Sequence, residues 1–234
     1  SLLVTTLLPV GLITLVSSIG WLLTRFGPRP YRADARSITI KAVLLIIFFA
    51  YPSVSSQILR TFTCTSYDDG SVVLNADPSL SCDSEAYPKF AAYAGVMTVV
   101  WVAGVPLGYV AVLAPLRRKL NPRVDDPKLS LEAAYAARDR DASIAHVRFL
   151  TRGYTTDAWA FEVFETVRKL AQASLIVFVS NGSALQMTLQ LIVSAVAIAV
   201  MSAVRPYVHA SDSFLAVFCQ WDIFVITFLA FVLH

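Results

Sequence analysis

Four charged side chains, Glu162, Glu165, Arg168 and Lys169, stand together at the head of an otherwise apolar run. On a helix Glu165 lies one turn from both Arg168 and Lys169, and Glu162 lies three residues before it on the same side. Unpaired charge sunk into a bilayer costs about 3 kcal/mol per group on insertion scales, so two acids beside two bases should pair. Such a stripe reads in two ways. It is a polar vestibule or switch at a cytoplasmic mouth, or it is an ion-paired brace whose basic heads reach up to the headgroups. Asp222, in Phe218-Cys219-Gln220-Trp221-Asp222-Ile223-Phe224, is a second candidate, near the middle of the last apolar run. An ionisable group at that depth lines a cation path, pairs with a basic group or donates a hydrogen bond when protonated. Gln220, two residues away, cannot share its face.

Cys64 and Cys82 bracket a loop carrying Asp68, Asp69, Asp77, Asp83 and Glu85 against Lys89. A disulfide between them requires an oxidising compartment, which places the loop outside; the alternative is two free thiols in a cytosolic loop. The bond would contribute about 3 kcal/mol in the chain-entropy picture. The acidic spacing does not match a twelve-residue calcium loop, so the loop reads as a solvated turn, with Val72–Leu74 as a short strand. No metal or cofactor is expected. Residues 181–183, Asn-Gly-Ser, form a glycosylation sequon, making Asn181 a candidate acceptor.

These residues are positioned by a chain that is 56% hydrophobic and only 15% charged, against about 25% charged in soluble domains. Lipid must be the solvent for much of it. The net charge of +3 gives no reason to expect nucleic acid. Six stretches approach the roughly 20 residues that cross a bilayer: 2–24, 38–62, 90–116, 158–180, 184–204 and 213–233. The fold class expected is therefore an all-α polytopic bundle of about six spans, one domain over 1–234, with a disulfide-stapled extracellular loop at 63–89. The chain opens and closes inside apolar runs, as a fragment of a longer protein would.

Fourteen of the 19 Lys and Arg residues fall in two linkers, Arg25–Lys41 and Arg117–Asp157. Both lie on one side if each run crosses once, and the positive-inside rule makes that side cytoplasmic. The loop at 63–89 and Asn181 then face outward. The fourth run is the weak point, because only Leu170–Ser180 is apolar. The alternative makes 170–204 one steep span, giving five crossings and putting Arg205 outside. Within the linker, Leu129–Leu150 reads as a surface helix beside anionic lipid. Pro52 and the Gly104-Val105-Pro106-Leu107-Gly108 segment mark kinks within spans.

Several functions lack their signatures. There is no Arg at every third position of a span, no Thr-Val-Gly-Tyr-Gly filter, no Lys for a retinal Schiff base in the last span, no phosphate-binding glycine loop and no His-Glu-x-x-His. No enzyme is expected.

The order of short motifs from about Ile38 onward resembles the multi-pass domain of large protist and algal surface proteins, itself loosely similar to fungal transient-receptor-potential-like membrane proteins. The residues concerned include Tyr51-Pro52-Ser53 before Cys64, Leu74-Asn75-Ala76-Asp77 before Cys82, and Gly104-Val105-Pro106-Leu107. Tyr154, Trp159 and Glu162 precede Arg168-Lys169-Leu170, Arg205-Pro206-Tyr207 closes the fifth run, and Gln220-Trp221 lies in the sixth. The resemblance implies a channel-like helical bundle, though no pore segment is recognisable. The expected function is a channel-like or sensory membrane domain, a cation path being its concrete form. The alternatives are a non-conducting anchor of a large extracellular assembly and a lipid-handling protein. Membrane lipids, and partner subunits or an extracellular assembly, are the expected partners, in a plasma, ciliary or endomembrane; the oligomeric state is left open.

Overall fold

A computed structural model describes residues 2–67, 70–173 and 183–233. Ten α-helices and a three-stranded sheet appear among them. The chain divides into two units, Ser1–Leu107 and Gly108–His234.

The first unit is built on a hairpin of α1 (Leu2–Phe26) and α2 (Arg29–Arg60), turned at Gly27 and Pro28. Proline suits the start of α2, because the first helical amides have no intrahelical acceptor to lose. The two helices approach closely at Gly20, where an added Cβ would collide with the side chain of Thr39. Helices in lipid gain little from the hydrophobic effect, so small residues that let backbones close up supply the packing. At the other end Thr6, fully buried, shares a 2.7 Å hydrogen bond with Tyr93 of α3 (Tyr87–Met97).

The acidic loop between α2 and α3 is a small sheet in the order β1 (Cys64–Ser66), β2 (Val72–Leu74) and β3 (Asp77–Ser81), antiparallel throughout. Cys64 and Cys82 are disulfide-bonded. Gln57 of α2 donates to the Ala76 carbonyl at 2.7 Å, tying the sheet to the helix end. The expected strand at Val72–Leu74 is the central one.

After α3 the helix widens into a π-helical turn, Thr98–Ala103, before α4 (Gly104–Leu113). A π turn leaves a carbonyl without its usual partner. Here Tyr51 of α2 donates to Val102 O at 3.1 Å. The irregularity expected near Gly104 therefore falls one turn earlier. The helix α2 runs on past Pro52.

The second unit contains the basic linker, and here one expectation fails. Leu129–Leu150 is not a single surface helix. It comprises α6 (Leu131–Arg140), a 3-10 turn at Ala142–Ile144, and the start of α7 (Arg148–Thr151). Ala134, Ile144, Val147 and Leu150 are buried, and Arg138 is only 3% exposed. Its guanidinium donates to the carbonyls of Thr151 (3.2 Å) and Tyr154 (2.8 Å). The reason is local. Asp141 accepts from Ser143 N at 2.8 Å, which stops α6, and Arg138 gathers the carbonyls of the next turn. Before α6, the short helix α5 (Arg117–Leu120) leads into Asn121, which donates to Asp157 at 3.0 Å.

Three helices follow: α8 (Phe161–Ala173), α9 (Ala184–Val204) and α10 (Ala210–Leu233). Ser183 caps α9, accepting from Gln186 N. The helix ends at Arg205, the one non-glycine residue with positive φ (46°) among those described. That left-handed cap turns the chain so that Tyr207 forms a β-bridge with Tyr154. Thr155 N donates to Pro206 O at 2.7 Å, and Val208 N to Gly153 O at 3.0 Å.

Five helices are long and apolar enough to cross a membrane: Leu2–Phe26, Asp34–Arg60, Tyr87–Leu120, Ala184–Val204 and Ala210–Leu233. Large apolar side chains such as Leu7, Trp21, Phe49, Val99, Ile192 and Phe214 lie on the outside. The chain is an integral membrane protein, built from helices. Of the six expected spans, the fourth is described only as α8, through Ala173. Asn181 lies outside the described residues.

Candidate functional site

Soluble helices hide their apolar face. Helix α8 does the reverse with its acids. Glu162 is 6% exposed and Glu165 is 3%, whereas Val167 faces outward. Phe161, Thr166 and Leu170 are buried beside the two glutamates. A helix that turns carboxylates inward and valine outward must find partners inside, since a buried carboxylate without them is prohibitively costly.

The partners form a ladder. At its foot Tyr154 donates from its hydroxyl to Glu162 Oε2 at 2.7 Å. Burial, reinforced by the Glu162 carboxylate, pushes the Tyr154 phenol up, so it stays a donor throughout the ordinary pH range. Tyr207, in the loop before α10, is likewise pushed up to about 12, chiefly by burial. These tyrosines pack with Phe161 and Phe164, ring centroids 5.1 to 5.4 Å apart between Tyr154–Phe161, Tyr154–Tyr207 and Phe161–Phe164. Met201 of α9 completes this apolar floor.

One turn up, Glu165 takes two hydrogen bonds from Arg168, at 3.1 Å from Nε and 2.7 Å from Nη2. This is the bidentate fork that a guanidinium, and not an ammonium, can make. Lys169 Nζ stands 4.0 Å from Glu165. Arg168 Nη1 donates in addition to Gln172 of its own helix and to Gln220 Oε1 of α10, the latter at 2.9 Å. Gln172 then reaches Ser194 of α9 at 3.3 Å. One guanidinium thus joins α8 to α10, and Gln172 extends the network to α9.

The structure brings Glu162, Glu165, Arg168 and Lys169 onto one stripe, as their spacing predicts. It leaves Asp222 out. Residues two apart on a helix are separated by about 200°, and it is Gln220, 2% exposed, that turns inward. Asp222 is exposed, and among the described residues no hydrogen bond or ion pair reaches it. At the bilayer centre that carboxyl costs about 3 kcal/mol on insertion scales.

Sequence reasoning missed Tyr154, Gln172, Ser194, Tyr207 and Gln220 as members of the site. Gln172 had a signal, lying four residues after Arg168. Ser194 and Gln220 had another, being polar residues inside apolar spans, where such groups hold helices together. Two buried polar atoms in this network, Glu162 Oε1 and Gln220 Nε2, have no hydrogen-bond partner among the described residues. Among the described residues there is no group of three or more His, Cys, Asp or Glu arranged to hold a metal ion.

No family model, curated protein or solved structure matches this chain.

Proposed function

We propose that the chain is a channel-like or sensory membrane domain in which the ladder on α8 acts as the switch. The observation that carries this reading is the position of Arg168, which grips Glu165 and Gln220 at once. A single guanidinium whose bonds span α8 and α10 gives two discrete arrangements, gripped and released, and such bistable contacts convert small movements into large ones. The motif order similar to the multi-pass domain of protist surface proteins points the same way.

The pairing of Tyr154 with Tyr207 supports six crossings over five. Six crossings bring Arg205–Val208 to the same side as the end of the basic linker, where the bridge needs them. A single steep span over 170–204 would put Arg205 on the opposite side. The 117–157 linker, rich in Arg and Lys, is then cytoplasmic, and the disulfide loop is outside.

A specific observation favours the non-conducting anchor as second reading. Every charged group of the ladder, Glu162 included, has at least one partner, which is how a brace is built. Cation flux from reconstituted liposomes separates the two. The switch reading expects flux that rises several-fold in Gln220→Leu, where the grip on α10 is removed. Correctly folded protein with no flux in either form would leave the anchor.

A further inference from the structure

We propose that the outward face of α10 is an interface for a partner transmembrane helix carrying a lysine or arginine at mid-membrane depth, received by Asp222. This stands apart from the question of conduction.

Three observations lead to it. Asp222 lies 12 residues after Ala210 and 11 before Leu233, at the middle of a helix long and apolar enough to span. It is exposed, in line with Phe214, Phe218, Val225 and Leu229, which are also exposed. That spacing, at intervals of three and four residues, is a continuous stripe of the kind that packs against another helix. Finally, α9 and α10 contain no Lys or Arg, so neither helix can neutralise the carboxyl.

Lipid is the wrong neighbour for such a group. A carboxyl at the centre of the hydrocarbon layer has neither water nor donor, and acids in spans are found paired. The complementary chemistry is a cation at matching depth, flanked by side chains that fit the large apolar residues on either side of Asp222. A second copy meeting face to face would oppose one Asp222 with another and bring no cation to either. The stripe therefore selects a helix of different sequence.

The test uses the whole chain in phosphatidylcholine vesicles with a synthetic 24-residue leucine-rich spanning peptide. One version has a single central lysine, the other leucine there, and both carry a photo-crosslinking residue beside that position. Crosslinks are mapped by mass spectrometry. The lysine peptide should label Phe218–Ile226 about 5-fold more than the leucine peptide, in keeping with the strength of interhelical polar contacts. In Asp222→Leu that excess should vanish, and in Asp222→Asn it should fall to an intermediate level. Retention of the Cys64–Cys82 bond on non-reducing gels and unchanged helicity show that the variants fold. Equal labelling by both peptides overturns the proposal, as does an excess that survives in Asp222→Leu. Crosslinks between two copies of the chain through this stripe, lost in Asp222→Leu, overturn it in favour of self-association.

Discussion

The α1–α2 hairpin and the α8–α9–α10 cluster solve one problem by opposite means. In lipid, apolar contact between helices is no better than apolar contact with acyl chains, so something else must hold them. The hairpin uses proximity: Gly20 has no side chain where Thr39 sits. The cluster uses polarity: Arg168 spends its donors on Glu165, Gln172 and Gln220. Close packing tolerates no added volume but asks little of its neighbours. A polar ladder tolerates no missing member, because each removal strands another buried group. The first is suited to a fixed support, the second to an element with two states.

Removing one half of the ladder's ion pair should have the largest effect. Arg168→Leu takes both charge-assisted hydrogen bonds from buried Glu165 and leaves it only the longer contact with Lys169, and is expected to cost about 3 kcal/mol in stability. Denaturant titration in mixed micelles measures it. Arg168→Leu combined with Glu165→Leu should recover most of the loss, since the buried pair goes as a whole and Lys169, which loses its carboxylate, is the more exposed member. A double variant as unstable as the single one would show that the pair is not what matters.

Breaking the disulfide comes next. Cys64→Ala with Cys82→Ala should cost about 3 kcal/mol through a freer unfolded state. The loss should reside in the sheet and its link to α2 through Gln57, and leave the ladder's contribution intact. Proteolysis of the loop in intact vesicles reads it.

The hairpin should be sensitive to size and not to polarity. Gly20→Leu is expected to cost about 1–3 kcal/mol by forcing the helices apart. Gly20→Ala paired with Thr39→Ala should be milder than Gly20→Leu, because space is returned. If Gly20→Leu melts with the wild type, the close approach carries no energy.

The smallest effect is a pH dependence in the basic linker. Hydrogen bonds from Ser143, side chain first and backbone second, hold the Asp141 carboxyl below its usual range. Its folded value is depressed, so its stabilisation is present above the ordinary carboxylate value of about 3.9 and is lost as pH falls through the lower folded value. Acid melts of Ser143→Ala should show a shallower decline over that range than the wild type.

Much of this was legible in the sequence, where chemistry and spacing coincide. Cys64 and Cys82 flank a polar loop between apolar runs, and the 162–169 stripe follows from helical geometry. What was not legible has physical reasons. Asp222 drew notice because an acid in a span is costly, but cost does not say which way a side chain points. The less conspicuous Gln220 faces inward. Within the basic linker, Leu129–Leu150 reads as one helix on lipid because Leu131, Ala134, Tyr135 and Arg138 have helical spacing amid mixed charge. That spacing is interrupted at Asp141, and no periodicity reveals that Arg138 will fold back on the carbonyls of Thr151 and Tyr154. Tyr154 and Tyr207 meet through a bridge between residues far apart in the chain, which no local pattern encodes.

The most direct test of the ladder is a double-mutant cycle on Arg168→Met and Gln220→Leu, with unfolding followed in lipid vesicles. The contact at 2.9 Å predicts a coupling of about 1 kcal/mol between the two positions, of the size seen for interhelical polar contacts in membranes. Strict additivity of the two losses would mean that Arg168 does not hold α10, and the switch would have no grip.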